Sequence, residues 1–402
     1  MIKTLTKERA AEQGELVTQR RVRVCVVVAV PMTLEVFLIS HLRALQTCYD
    51  ITVVANCPDV HFLRKLGLDI EMVHVAIERN IAPFQDAKCL MALFSLFRSR
   101  QFSIVHSITP KAGLLAMVAA MLARVPNRIH TFTGQVWAGL GGWERELLKL
   151  MDKLLAFSAT ALLADSHSQL VFLRQEGIFK TSRGVVLGKG SISGVDGKRF
   201  QRKPLERQRI RYELGITDSA MVFGFMGRLK KDKGVLDLAQ AFRIVGEDNQ
   251  SVHLLVVGPD EEQLMQRMID LAGEAASRMS FVNWTKEPER YMAAIDLLCL
   301  PSYREGFGSV IIEAAACGVP ALASRIYGVS DALVEGVTGM MHECGDVGGI
   351  ADGLKRATAA RHELAEMGSR AQKRANEDFD SSILSGQLVA YYGRLLAESE
   401  VA

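Results

Sequence analysis

The chain has 402 residues, 49% of them hydrophobic and 23% charged, a length that at about 150 residues per domain suggests two large domains or three small ones. With 10 Pro and 33 Gly it is neither disordered nor collagen-like. A formal net charge of +3 is too mild for a dedicated nucleic-acid binder, whose affinity rests on concentrated phosphate neutralisation, so no nucleic-acid partner is expected.

Seven cysteines (Cys25, Cys48, Cys57, Cys89, Cys299, Cys317 and Cys344) form an odd set without CxxC spacing and read as free thiols in a reducing compartment. Residues 1–21 carry Lys, Arg and Glu with no apolar stretch of the kind a secretion signal needs. They read as a flexible polar leader, and a cytoplasmic location is expected. The longest apolar run, Ala112 to Ala123, is well short of the roughly 20 residues that span a bilayer and reads as a buried helix.

From residue 22 short β-branched runs alternate with helical stretches. VRVCVVVAV, ITVVAN, IEMVHVAI, SIVHSI, RIHTFT and ATALLADS read as buried parallel strands with crossover helices between them. The Gly- and Ser-rich stretch Val185 to Phe200 interrupts this pattern. A second series then runs through MVFGFMG, VHLLVVGP, MSFVNW, DLLCLPS and VPALAS before a charged helical tail from about residue 346. The fold class is therefore α/β, with two doubly wound parallel-sheet domains, 22–200 and 201–380, facing a cleft. A helix over 381–402 is expected to cross back to the first domain. Ligands in such sheets bind at the carboxyl ends of the strands.

Two segments at those ends carry chemistry. In LPSYREGFGSVIIEAAACGVP (300–320) a strand ends at Pro301, a loop holds Glu305, Gly306, Phe307 and Gly308, and a helix begins near Ser309 and Val310. Free amides at a helix start suit a phosphate. Glu313, about one turn in, is placed to accept hydrogen bonds from a ribose diol, while Glu305 is placed to hold a sugar hydroxyl or face the reacting carbon. The competing reading is two surface glutamates. In GRLKKDKG (227–234) Arg228 follows a buried strand and Lys233 precedes an apolar helix, an arrangement that suits a leaving diphosphate.

GR followed by KG, and then PSYREGFGSVIIEAAACGVP, resembles the retaining glycosyltransferases of family 4, with their GT-B pair of Rossmann-like domains. VVGPDEE near 258, YGVSDALVEGVTGM after the helix, and SISGVDGKRF, HSITPKAGLL and LLADSHSQ in the first half extend the resemblance from about residue 22 onward. It implies that Arg228 and Lys233 bind the donor diphosphate and that Glu313 holds the ribose. Glu305 and the amides of Gly306, Phe307, Gly308, Ser309 and Val310 would line the sugar and phosphates. It further implies a metal-independent enzyme with no cofactor beyond its UDP-sugar donor, an N-acetylated hexose being one candidate sugar. The implied acceptor is a polyprenyl-diphosphate-linked saccharide in O-antigen, capsule or exopolysaccharide assembly at the inner face of the cytoplasmic membrane. A UDP-N-acetylglucosamine 2-epimerase-like enzyme on the same fold and a silent sugar-nucleotide-binding protein are the alternatives. The single Asp-x-Asp, Asp378 to Asp380, reads as a turn or cap in the helical tail.

The chain departs from the family pattern twice. The loop after the first strand is Val30-Pro31-Met32-Thr33 without glycine, and Thr133 stands where members often carry His. His130, three residues earlier on the same strand, reads as the catalytic substitute, against the alternative of a structural histidine. Thr133, Gly134, Gln135 and Trp137 are expected to touch the sugar or the acceptor. The helix WERELLKLMDKLLAF has a basic row at Arg145, Lys149 and Lys153. It reads either as a crossover helix with a solvated face or, with Trp137 and Leu140, as a contact for an anionic membrane.

Overall fold

The structure, a computed structural model, describes residues 21–78, 81–180 and 182–401. Apart from Arg21, the polar leader lies outside the described residues. The first sheet contains β1 (Arg23–Val27), β2 (Asp50–Ala55), β3 (Glu71–His74), β4 (Ile104–Ile108), β5 (Asn127–Phe132) and β6 (Ala161–Ala164) in the order β3-β2-β1-β4-β5-β6. The second contains β7 (Met221–Met226), β8 (Val252–Val257), β9 (Met279–Val282), β10 (Leu297–Leu300), β11 (Ala321–Ser324) and β12 (Gly339–His342) in the order β12-β11-β10-β7-β8-β9. All pairings are parallel. Counted within each half, both sheets have the 3-2-1-4-5-6 order of a dinucleotide-binding fold, which puts the switch point beside the first strand.

Burial explains why the strands read as unbroken apolar runs. Both faces are covered, and β4, β6, β7, β10 and β11 are buried at every position. The helices that matter to the site are α1 (Ile39–Cys48), α2 (Pro83–Arg100), α3 (Pro110–Leu122), α4 (Gly142–Ser158) and α5 (His167–Gln175) in the first half. The second half supplies α6 (Val235–Asp248), α7 (Ser309–Ala316), α8 (Arg361–Asp378) and the terminal α9 (Ser381–Val401). The run Ala112 to Ala123 is α3, a largely buried helix between α2 and α4. No helix among the described residues is long and apolar enough to cross a membrane.

Two strands of chain connect the halves side by side. The amide of Val195 donates to the Phe379 carbonyl at 2.7 Å and that of Ser381 to the Val195 carbonyl at 2.9 Å. Phe379 is a core residue, and Asp380 caps α9 through the Ser382 amide at 2.8 Å. Beyond this crossing α9 packs on α1 of the first half. Tyr392 Oη lies 2.6 Å from His106 Nδ1, and Ser385 Oγ lies 2.9 Å from His41 Nδ1. Five of the seven cysteines are buried, while Cys48 and Cys344 are exposed.

Candidate active site

The two sequence segments come together at the carboxyl ends of β7 and β10. The turn at Lys231–Lys233 and the loop Pro301 to Gly308 are laced by Lys233 Nζ to Glu305 Oε1 (2.7 Å), Arg304 to Asp232 Oδ2 (2.9 Å) and the Tyr303 amide to the Asp232 carbonyl (2.9 Å). Gly234 makes this possible. Its φ is +67°, and a Cβ there would strike the Pro301 carbonyl. Buried Ser302 donates to Glu305 Oε1 at 2.9 Å, so one carboxylate oxygen is held twice.

Gly308, at φ +75°, starts α7 without any side-chain cap. The first-turn amides beyond Gly308 therefore have no side-chain partner at the cleft, which is the arrangement an anion can occupy. The Phe307 side chain points the other way, into the core, 5.3 Å from the Phe379 ring. Glu313 lies one turn inside α7. Burial pushes its carboxyl up to about 7, with Glu289 adding to the rise and Arg199 opposing it. Arg228 does not join the Lys233 and Glu305 pair. It is half exposed and rests against Glu261 at 3.3 Å, in the loop after β8, with Lys230 on the same carboxylate.

The first half closes directly on this loop. A Cβ on Gly306 would sit 2.7 Å from the Gly134 amide nitrogen and 2.9 Å from Asp165 Oδ2, and a Cβ on Gly328 would strike the Gly306 carbonyl. Three glycines thus let the chain from β5, the Glu305 loop and the turn after β11 touch. Across the same seam Ser168 Oγ binds Asp331 Oδ2 and accepts from the Gly328 amide at 2.7 Å. Tyr327 of the second half stacks on Phe172 of α5 at 4.4 Å, and Phe172 stacks on Trp137 at 5.4 Å.

Several expected residues stand elsewhere than the sequence reading put them. His130 does not reach the cleft. It is 1% exposed and packed against Gly113 of α3, with Ser107 Oγ 2.9 Å from its Nδ1 and Phe132 edge-on at 4.7 Å. Burial holds its imidazole down near 3, so it is neutral and structural. Trp137 is also buried, its Nε1 donating to Asp152 Oδ2 at 2.7 Å, and it acts as a wall behind the seam. Thr133 and Gly134 do line the seam. The Thr133 carbonyl accepts from Gln135 Nε2 (2.5 Å) and Gln169 Nε2 (2.7 Å), which fixes the loop from behind. The basic row does not face outward as a unit. Arg145 and Lys149 lie over the Trp137 ring and bind Glu176 Oε2 at 2.7 and 2.8 Å, leaving Lys153 exposed.

Asp165, at the end of β6, was not assigned a role from sequence. It is buried beside Gly306, its Oδ1 has no hydrogen-bond partner, and burial pushes its carboxyl up to about 8. Only LLADSHSQ at a strand end signals it, and that run does not reveal that the opposite domain closes over it.

Two parallel-sheet domains closing on an ion-paired, amide-rich loop at a helix start form a cleft of the GT-B type, and comparisons with known proteins agree. The model for glycosyl transferases group 1 matches residues 206–374, and that for the glycosyl transferase 4-like domain matches 7–190. The capsular polysaccharide biosynthesis glycosyltransferase CapM of Staphylococcus aureus is 31% identical over 373 residues, covering 87% of this chain and 97% of CapM. An Escherichia coli UDP-Gal:α-D-GlcNAc-diphosphoundecaprenol α-1,3-galactosyltransferase is 27% identical, covering 70% of this chain and 72% of that enzyme. Among solved structures, Anabaena HepE in complex with UDP and glucose superposes with a TM-score of 0.76 at 18% identity, covering 93% of this chain and all of HepE. The chain belongs to the family 4 type of group 1 glycosyltransferases and is a glycosyltransferase with the GT-B fold.

Proposed function

We propose that this enzyme moves a sugar, an N-acetylated hexose being one candidate, from a UDP-sugar to a polyprenyl-diphosphate-linked saccharide, with retention and without a metal, in surface polysaccharide assembly. The observation that carries the reading is the Lys233 and Glu305 pair at the uncapped start of α7, pressed against Gly134 of the opposite domain. UDP in HepE, the undecaprenol-linked substrate in the name of the E. coli relative and the capsular role in the name of CapM support the donor, acceptor and pathway class. An acceptor of that class is anchored in the bilayer, which would place the work at the inner face of the cytoplasmic membrane.

In this scheme the bond from the anomeric carbon to the β-phosphate oxygen breaks. The acceptor hydroxyl oxygen bonds the same face of that carbon, and the hydroxyl proton passes to the departing phosphate oxygen. Lys233, released from Glu305, and the first-turn amides of α7 take up the charge that develops on the diphosphate, while Arg228 leaves Glu261 to close its outer side. Glu305 holds a sugar hydroxyl, and Glu313 accepts from the ribose.

A thermal-shift panel of UDP-, GDP- and ADP-sugars tests the donor. A ligand at one hundred times its dissociation constant adds about 2.7 kcal/mol to the native state. UDP-sugars alone should raise the Tm, and a shift with GDP- or ADP-sugars but not UDP-sugars contradicts the reading.

A further inference from the structure

Helix α4 buries one face, with Leu155 and Ala156 in the core and Leu148 against it, and leaves a second apolar row uncovered. Two of its cations, Arg145 and Lys149, face inward on Trp137 and Glu176, Lys153 is exposed, and the second apolar row faces outward. Trp143 (73%), Leu150 (63%) and Phe157 (72%) are largely exposed, and Leu147 and Leu154 lie between them. Soluble monomers rarely leave a contiguous apolar row of this kind uncovered.

The spacing of that row is informative. Trp143, Leu147, Leu150, Leu154 and Phe157 follow one another at steps of four, three, four and three, the period of a seam between two helices. The row also reads nearly the same in both directions, with an aromatic at each end and three leucines between. If a second α4 is laid antiparallel with Leu150 at the centre, Trp143 meets Phe157 of the other copy, Leu147 meets Leu154, and Leu150 meets itself. The same alignment sets Glu146 opposite Lys153 of the other copy, twice, beside the apolar seam. Both residues are exposed; Glu146 lies 3.0 Å from Arg145 of its own helix, and Lys153 has no ion pair among the described residues.

We propose that this face of α4 is a homodimer contact, an antiparallel helix pair about a two-fold axis passing near Leu150. A two-fold contact must be self-complementary, and here both shape and charge are. The rim of α4 argues against an anionic bilayer as the occupant. Its exposed charges are Glu144, Glu146 and Lys153, of mixed sign, where a membrane face would concentrate cations. A helix pair of this length buries an area toward the low end of the roughly 1,200–2,000 Å² of stable interfaces, so the dimer dissociates on dilution.

Sedimentation velocity of the full chain over a dilution series tests this. Wild type should pass from dimer to monomer, and Leu150→Glu should be monomeric throughout with the thermal midpoint of dilute, monomeric wild type, since Leu150 is exposed in the monomer. Glu146→Lys alone and Lys153→Glu alone should each weaken association roughly tenfold by setting like charges opposite each other twice. The double exchange, Glu146→Lys with Lys153→Glu, should restore it. A monomeric wild type, a dimeric Leu150→Glu, or a double exchange as weak as the singles would overturn the proposal. So would a wild type that stays monomeric yet binds phosphatidylglycerol–phosphatidylethanolamine vesicles in a manner abolished by Leu150→Glu, because the row would then be a membrane face.

Discussion

Lys233 Nζ lies 2.7 Å from Glu305 Oε1 across the floor of the cleft, and each is shielded to within about a sixth of full exposure. The pair cancels its own charge while no diphosphate is present. A donor that takes Lys233 leaves Glu305 free to turn to the sugar, so one displacement prepares both groups. This also explains why Lys233 can stand just before α6, where the helix dipole disfavours a cation.

Replacing either partner should remove transfer while sparing the fold. Lys233→Ala and Glu305→Ala are each expected to lower kcat by about 10²–10³, the scale for losing one preorganised electrostatic contact. The pair is largely shielded, so each single variant leaves a partly buried charge without its partner and should lower the melting temperature, while the double variant should recover part of that loss. Turnover assays beside thermal melts check this, and near wild-type turnover in either variant contradicts the assignment.

The proposed ribose contact of Glu313 predicts a pH signature on nucleotide binding. Its carboxyl is pushed up to about 7, and only the ionised form accepts two hydrogen bonds from a ribose diol. UDP affinity, measured by calorimetry, should therefore tighten as pH rises from about 6 to 8. Glu313→Gln should bind more weakly at pH 8 and lose the slope.

Asp165 should leave its mark on stability instead. With the folded carboxyl pushed up to about 8, the unfolded chain gives up that proton first. Stability contributed by this group is thus complete at acid pH and is lost as pH climbs toward 8, at no more than about 1.4 kcal/mol per pH unit. Asp165→Asn keeps the shape and has no proton to lose. Its unfolding free energy should fall less steeply than wild type between pH 5 and 8, and equal slopes would refute the assignment.

The seam between the domains should govern turnover more than donor binding. Ser168→Ala removes the link to Asp331 and the acceptor for the Gly328 amide, and Gly306→Ala forces a methyl against the Gly134 amide. Ser168→Ala leaves the Glu305 loop and α7 untouched. For Ser168→Ala, UDP affinity should stay within about threefold while kcat falls by about tenfold, a loss of roughly 1.4 kcal/mol in the closed, reacting state. Small-angle scattering with UDP should show a wider particle for Gly306→Ala. A change confined to UDP affinity would contradict the role of the seam.

Much of this was legible before any coordinates. As short apolar or β-branched runs alternating with helical stretches, β1 to β11 stand out in the text. The strand β12 (GMMH) does not, because four residues directly after a Gly-bearing turn carry no distinguishing period. The Arg228, Lys233 and Glu305 segments were readable because strand-end glycines and charges are local signals. What the sequence lacks is direction. Alternation places His130 and Phe132 on one face of β5 but does not say that α3 covers that face. Likewise, an apolar row at helical spacing looks the same whether it packs inward or, as in α4, faces out. Asp165 and Tyr327 depend on the approach of a second domain, which no local pattern encodes.

The most direct test of the central claim is the product itself. UDP-sugars labelled with ¹³C at C1 should be incubated with the enzyme and a water-soluble N-acetylglucosamine-diphosphate-lipid analogue and followed by NMR. The account predicts release of UDP together with an α-linked disaccharide on the lipid diphosphate, and none from Lys233→Ala. A β-linked product, or a UDP-sugar epimerised without transfer, would contradict it.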